Sequence, residues 1–169
     1  MQTKNLALGG ISSAFVIILL YLASVMPTSR LFMLCLCSFL VAILVIETGF
    51  KKGIIFYLAT SVLSFLIIPS KAIVLLYIAF FGIYSLIKAQ VEILQNKVLQ
   101  ILLKLFTFNL LLAFITYLAK IVTGIESFAI HPTLPTGALW LGLQLAFLFY
   151  DYTFTAVISY YSRHFHGKP

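Results

Sequence analysis

Six apolar runs, each close to the thickness of a lipid bilayer, follow one another along this chain. They cover about 6–26, 31–48, 53–69, 72–88, 99–121 and 138–161. Between them stand PTSR (27–30), GFKKG (49–53), PSK (69–71), KAQVEILQNK (88–97) and TGIESFAIHPTLPTG (123–137). A helix needs about 20 apolar residues to cross a hydrocarbon core of roughly 30 Å. Lipid offers no partner to backbone N–H and C=O groups, so such a segment must satisfy them internally, as helix. The expected fold is therefore all-α, a polytopic integral membrane bundle of six transmembrane helices forming one domain over 1–169. The third and fourth runs are short, which leaves five spans plus a re-entrant pair as the alternative.

Composition supports lipid as the main solvent. The chain is 63% hydrophobic and 9% charged, against roughly 45–50% apolar and about 25% charged in soluble domains. Its net charge of +7 would suit a nucleic-acid partner in a soluble domain, but no basic run or face exists, so none is expected. Retention of cations on the cytoplasmic side explains the excess better. The first apolar run is longer than a signal peptide's apolar region of about 7–15 residues, so it reads as a retained helix. Cys35 and Cys37 are two apart, a spacing that points helical side chains away from one another. They read as small apolar residues rather than a disulfide or a metal pair.

Lysine and arginine placement orients the bundle. With the N-terminus inside, Lys4, Lys51, Lys52, Lys88, Lys97, Lys104, Arg163 and Lys168 are cytoplasmic, eight against the outer three, Arg30, Lys71 and Lys120. Both termini are thus expected in the cytoplasm. The stretch from Lys88 to Lys104 reads as an amphipathic cytoplasmic elbow, with Lys88 and Glu92 paired and the lysines toward anionic headgroups.

Two patterns stand out within the spans. In the first, Gly9 and Ser13 are four apart, as are Gly10 and Ala14, and Ala7 lies three before Gly10. Small residues at this spacing let another helix approach closely, whether a neighbour in the bundle or a partner. In the last, Gln144, Asp151, Thr155 and Ser159 fall near one helical face. An aspartate at mid-bilayer costs roughly 2.5–3.5 kcal/mol on insertion scales, so something must offset it. Asn109 lies near the middle of the fifth span, and an amide there could meet the carboxylate if the two helices are antiparallel neighbours. Asp151 is then either a ligand contact or a polar clamp.

Chemistry-bearing motifs are scarce. The sequence has no nucleophile elbow, HExxH, phosphate loop or Cys–His pair. No enzyme activity, cofactor or metal site is expected, and any ATP hydrolysis must come from a partner. Glu47 reads as an interfacial ion pair with Lys51. His164 and His166 are two ligands without a third.

The stretches TKNLALGGISSAF and ETGFKKGIIFYLATSVLSFLIIP, together with six spans in this length, resemble the substrate-binding S components of energy-coupling factor transporters. That resemblance implies a bacterial plasma-membrane protein that binds a small-molecule solute. It implies that Ala7, Gly10 and Ala14 contact a transmembrane coupling subunit, with ATPases as further partners. The MPTSR loop is shorter than many gating loops of that family, so TGIESFAIHPTLPTG would cover the pocket. The ligand-binding residues expected from the spans are Asp151, Asn109, Gln144 and Thr155. A non-catalytic membrane scaffold or assembly factor is the alternative, and an intramembrane enzyme the third reading.

Overall fold

The computed structural model describes residues 2–123 and 136–166. Among the described residues six helices are long and apolar enough to cross a membrane. These are α1 (Gln2–Val25), α2 (Arg30–Thr48), α3 (Phe50–Ile67), α4 (Lys71–Val91), α5 (Lys97–Thr123) and α6 (Thr136–His166). The all-α, six-span expectation holds: α3 has 18 residues and α4 has 21, each enough for a span. Helix α6, with 31 residues, is about 46 Å long at 1.5 Å per residue and outruns a hydrocarbon core. The chain divides into two compact units, Met1–Thr107 and Phe108–Pro169.

In the first unit α2 is central and packs against α1, α3 and α4. Its buried positions, among them Leu34, Cys37, Ser38, Val41 and Val45, recur every three or four residues, the period of one helical face. Cys37 is buried there with its Sγ 3.8 Å from the Val16 carbonyl of α1, and both cysteines are free thiols. Ser38 meets Ser85 of α4, hydroxyl to hydroxyl, at 2.8 Å. The link from α2 to α3 is a single residue, Gly49, at φ +92°. A side chain there would be strained, which is why glycine closes this tight hairpin. One turn on, Gly53 lies against Val45 so closely that a Cβ would collide with the valine side chain.

Helix α4 is not uniform. Tyr77–Gly82 is π-helical, a widened turn that leaves carbonyls off the regular ladder. Tyr57 of α3 uses this: its hydroxyl donates to the Ile78 carbonyl at 2.7 Å. Tyr77 lies 2.8 Å from Thr60 Oγ1, whose own hydrogen goes to the Phe56 carbonyl at 3.0 Å, so Tyr77 is the donor. Gly82 makes room for this arrangement, since a Cβ there would sit 2.5 Å from the Tyr57 ring. Two tyrosine hydroxyls that would be costly in an apolar interior are thereby paired between α3 and α4.

Lys71 tidies the other end of the α3–α4 hairpin. Its ammonium donates to the Ile68 carbonyl at 3.2 Å and lies 4.9 Å from the Phe65 ring centroid. A cation at a helix C-terminus meets the negative end of the helix dipole.

Candidate functional site

In the second unit α5 and α6 run antiparallel. Phe108 stacks on Phe147, with ring centroids 4.3 Å apart, and Asn109 meets Gln144. A step forward on α5 thus matches a step back on α6, as chain adjacency led one to expect. The Gln144 amide nitrogen donates to Asn109 Oδ1 at 2.8 Å. The remaining oxygen, Gln144 Oε1, is buried and has no hydrogen-bond partner. A buried acceptor left unmade costs about 1–3 kcal/mol. That makes it a point where a donor from another molecule would gain more than at the surface.

Asp151 lies seven residues beyond Gln144, about 10 Å along the helix axis. It is half-buried, as are Gln144 and Thr155, whereas Ser159 is exposed. The Thr155 hydroxyl donates to the Asp151 backbone carbonyl at 2.9 Å. Buried Phe147 and Phe154 flank this polar edge of α6, so the stripe runs along one side of the helix's inward face. Tyr150 stacks edge-on against Phe154 at 5.8 Å. Sequence spacing placed Gln144, Asp151, Thr155 and Ser159 on a common stripe; the first three are half-buried along it, but Ser159 at its far end is exposed. Spacing did not show that the amide of Asn109 is met by Gln144.

On α1, Ala7, Gly10 and Ala14 are all exposed, and a Cβ at Gly10 would meet nothing within 4 Å. This small-residue face is not covered by α2 or α3, which leaves it open to lipid or to another helix.

A second charged centre is one that the spacing only half revealed. Lys88 and Lys104 converge on Glu92 Oε1 at 3.0 and 3.1 Å. The Lys88–Glu92 pairing at four residues' separation was expected. The orientation was not: Lys88 is 1% exposed and Lys104 8%, so neither reaches for headgroups, and Lys97 alone of the three lysines is exposed. The reason is the turn at residues 92–96, across which Lys104 comes back within reach of Glu92 at 3.1 Å. An ammonium out of water needs a counter-charge more than it needs a distant lipid phosphate. Lys104 could not have been assigned to this group from spacing, because it lies 12 residues from Glu92 across that turn.

Among the described residues no group of three or more His, Cys, Asp or Glu side chains gathers as metal ligands do. Residues 124–135 of the TGIESFAIHPTLPTG stretch proposed as a pocket cover, with Glu126 and His131, lie outside the described residues, as do the side chains of Lys4, Lys120 and His166 and the residue Lys168.

The described residues define an integral membrane protein with six candidate spanning helices, several of whose buried polar side chains, Ser38 with Ser85 and Asn109 with Gln144 among them, pair between helices. No family model, curated protein or solved structure matches this chain.

Proposed function

We propose that this chain is the solute-binding subunit of an uptake transporter of the bacterial plasma membrane, similar to an S component of an energy-coupling factor transporter. In this reading both termini are cytoplasmic, the chain is not an enzyme, and partner ATPases supply the energy. The observation that carries it is the orphaned acceptor Gln144 Oε1, buried beside the Asn109 amide. A pair of amides serving only to clamp α5 to α6 gains nothing from a spare buried oxygen, whereas a solute bearing an N–H or O–H would satisfy it. Asp151 and Thr155 extend the polar edge along α6, and tyrosine and phenylalanine rings supply apolar walls. The exposed Ala7, Gly10 and Ala14 suit close approach of a coupling subunit's helix.

A second reading, a membrane scaffold or assembly factor, draws on the same Asn109–Gln144 bond, which already joins two helices. Native mass spectrometry of the detergent-purified full chain separates the two. A retained small molecule that is lost from Gln144→Leu, together with a co-purifying coupling subunit and ATPases, supports transport. Cell-envelope proteins in the preparation, with no small molecule, would replace that reading with the scaffold.

A further inference from the structure

Three helix ends enclose a groove of about 650 Å³ in the first unit. Gly9, Gly10 and Ser13 of α1 form one wall, Phe56 and Ala59 of α3 another, and Lys52 stands at the start of α3. The α1 wall is open: a Cβ built on Gly9 or Gly10 meets nothing within 4 Å. Its polar atoms make no demand on an occupant. The Ser13 hydroxyl donates to the Gly9 carbonyl at 2.8 Å, and that of Thr48 on the α2 side donates to Leu44 at 2.7 Å. What remains is an apolar trough with one charged lining residue, Lys52, and no carboxylate in its lining. Lys51 beside it is also exposed.

The depth of the groove selects its occupant. From Lys52 to Ala59 is seven residues, about 10 Å along the helix. That is less than one leaflet of a hydrocarbon core roughly 30 Å thick. A partner's spanning helix would need contact well beyond Ala59, but an acyl chain entering from one surface would not. The beginning of α1, the end of α2 and the beginning of α3 lie on one side of the membrane by connectivity, so Lys52 stands at headgroup level while the glycines lie deeper. A cation at the mouth of an apolar cleft complements an amphiphile with an anionic head.

We propose that this groove is a binding site for an anionic phospholipid, with one acyl chain against Gly9, Gly10, Phe56 and Ala59 and the phosphate at Lys52. The groove adjoins the Ala7–Gly10–Ala14 stripe through Gly10, so a bound lipid would form part of the surface a partner meets. The site stands whether or not the chain binds a solute.

The full chain is reconstituted in vesicles of equal parts phosphatidylglycerol and phosphatidylethanolamine, extracted gently, and its retained lipid read by native mass spectrometry. Wild type is expected to hold phosphatidylglycerol in preference. Lys52→Gln should reduce that preference about fivefold while still carrying lipid. Gly9→Leu fills the trough from α1 and Ala59→Leu from α3. Each should cut retention about tenfold, the worth of roughly two lost methylene contacts, with helicity and monodisperse elution unchanged. Ala59→Leu gives the same reading if Gly9→Leu does not fold. Equal retention of the two lipids by wild type, or undiminished lipid in a folded groove-filling variant, overturns the proposal. So does a wild-type dimer that Gly9→Leu abolishes, which would give the groove to a second copy of the chain.

Discussion

Gln144 on α6 donates its amide to Asn109 on α5 across 2.8 Å, and in doing so leaves its own oxygen buried without a partner. The pair is thus both a clamp and an unfilled acceptor, and the two roles make different demands on substitutions. Polar bonds between membrane helices average only about 0.6 kcal/mol, because the separated helices also find partners. Gln144→Leu should therefore lower stability by less than about 1 kcal/mol, read as a small drop in detergent Tm. Solute retention, in the transport reading, should fall at least tenfold. A large stability loss would instead make the clamp the main role.

Asp151→Asn keeps the shape of the side chain and most of its hydrogen bonding while removing the charge. If a charged carboxylate holds solute, this variant folds normally and loses uptake by about tenfold or more, since hydrogen bonds to charged groups are worth roughly 1.5–3 kcal/mol. Wild-type uptake by a normally folded Asp151→Asn protein would sink the charge-dependent role.

Glu92 holds two buried ammonium groups at once. Glu92→Gln leaves both without that counter-charge, for which the expected cost is about 3–5 kcal/mol, toward the lower figure because Glu92 is partly solvated. The measurement is equilibrium unfolding in mixed micelles. Replacing the group by apolar side chains, Lys88→Met with Glu92→Leu and Lys104→Met, should recover most of that loss. Such recovery would place the cost in the stranded charges and not in lost packing.

Gly82→Ala would set a Cβ 2.5 Å from the Tyr57 ring and 3.1 Å from the Tyr77 carbonyl. The ring must then swing away, and the bond from Tyr57 to the Ile78 carbonyl breaks with it. Overpacking of this kind costs about 1–3 kcal/mol. Adding Tyr57→Ala should remove the ring's share of the cost of alanine at 82 and leave only the contact with the Tyr77 carbonyl, a coupling that a thermal double-mutant cycle would register.

Orientation has its own check. A reporter fused after Pro169 should be active only as a cytoplasmic fusion, and activity outside the cell would invert the topology. Of the eight lysines and arginines assigned to the inner side, Lys88 and Lys104 are buried against Glu92. The orienting charge then rests on Lys4, Lys51, Lys52, Lys97, Arg163 and Lys168, still six against Arg30, Lys71 and Lys120.

The number and approximate limits of the spans were legible residue by residue. Crossing a bilayer is a constraint on length and hydropathy that each segment meets alone, so PTSR, GFKKG and PSK marked helix ends without knowledge of any neighbour. The small-residue face of α1 was legible for the same reason, being local, whereas the tight turn was not: GFKKG was expected to separate the second and third spans, but Gly49 alone does and Phe50 already begins α3. Which polar groups meet was not legible either. Asn109 with Gln144, Tyr57 with the Ile78 carbonyl, and Lys104 with Glu92 depend on how each helix is rotated about its axis and where the elbow after α4 turns back. In lipid, apolar faces discriminate weakly between rotations, since a leucine gains little by facing protein rather than acyl chains. The rotations are settled by a few buried polar contacts and by close approaches at Gly53 and Gly82, and those exist only once the helices have been brought together.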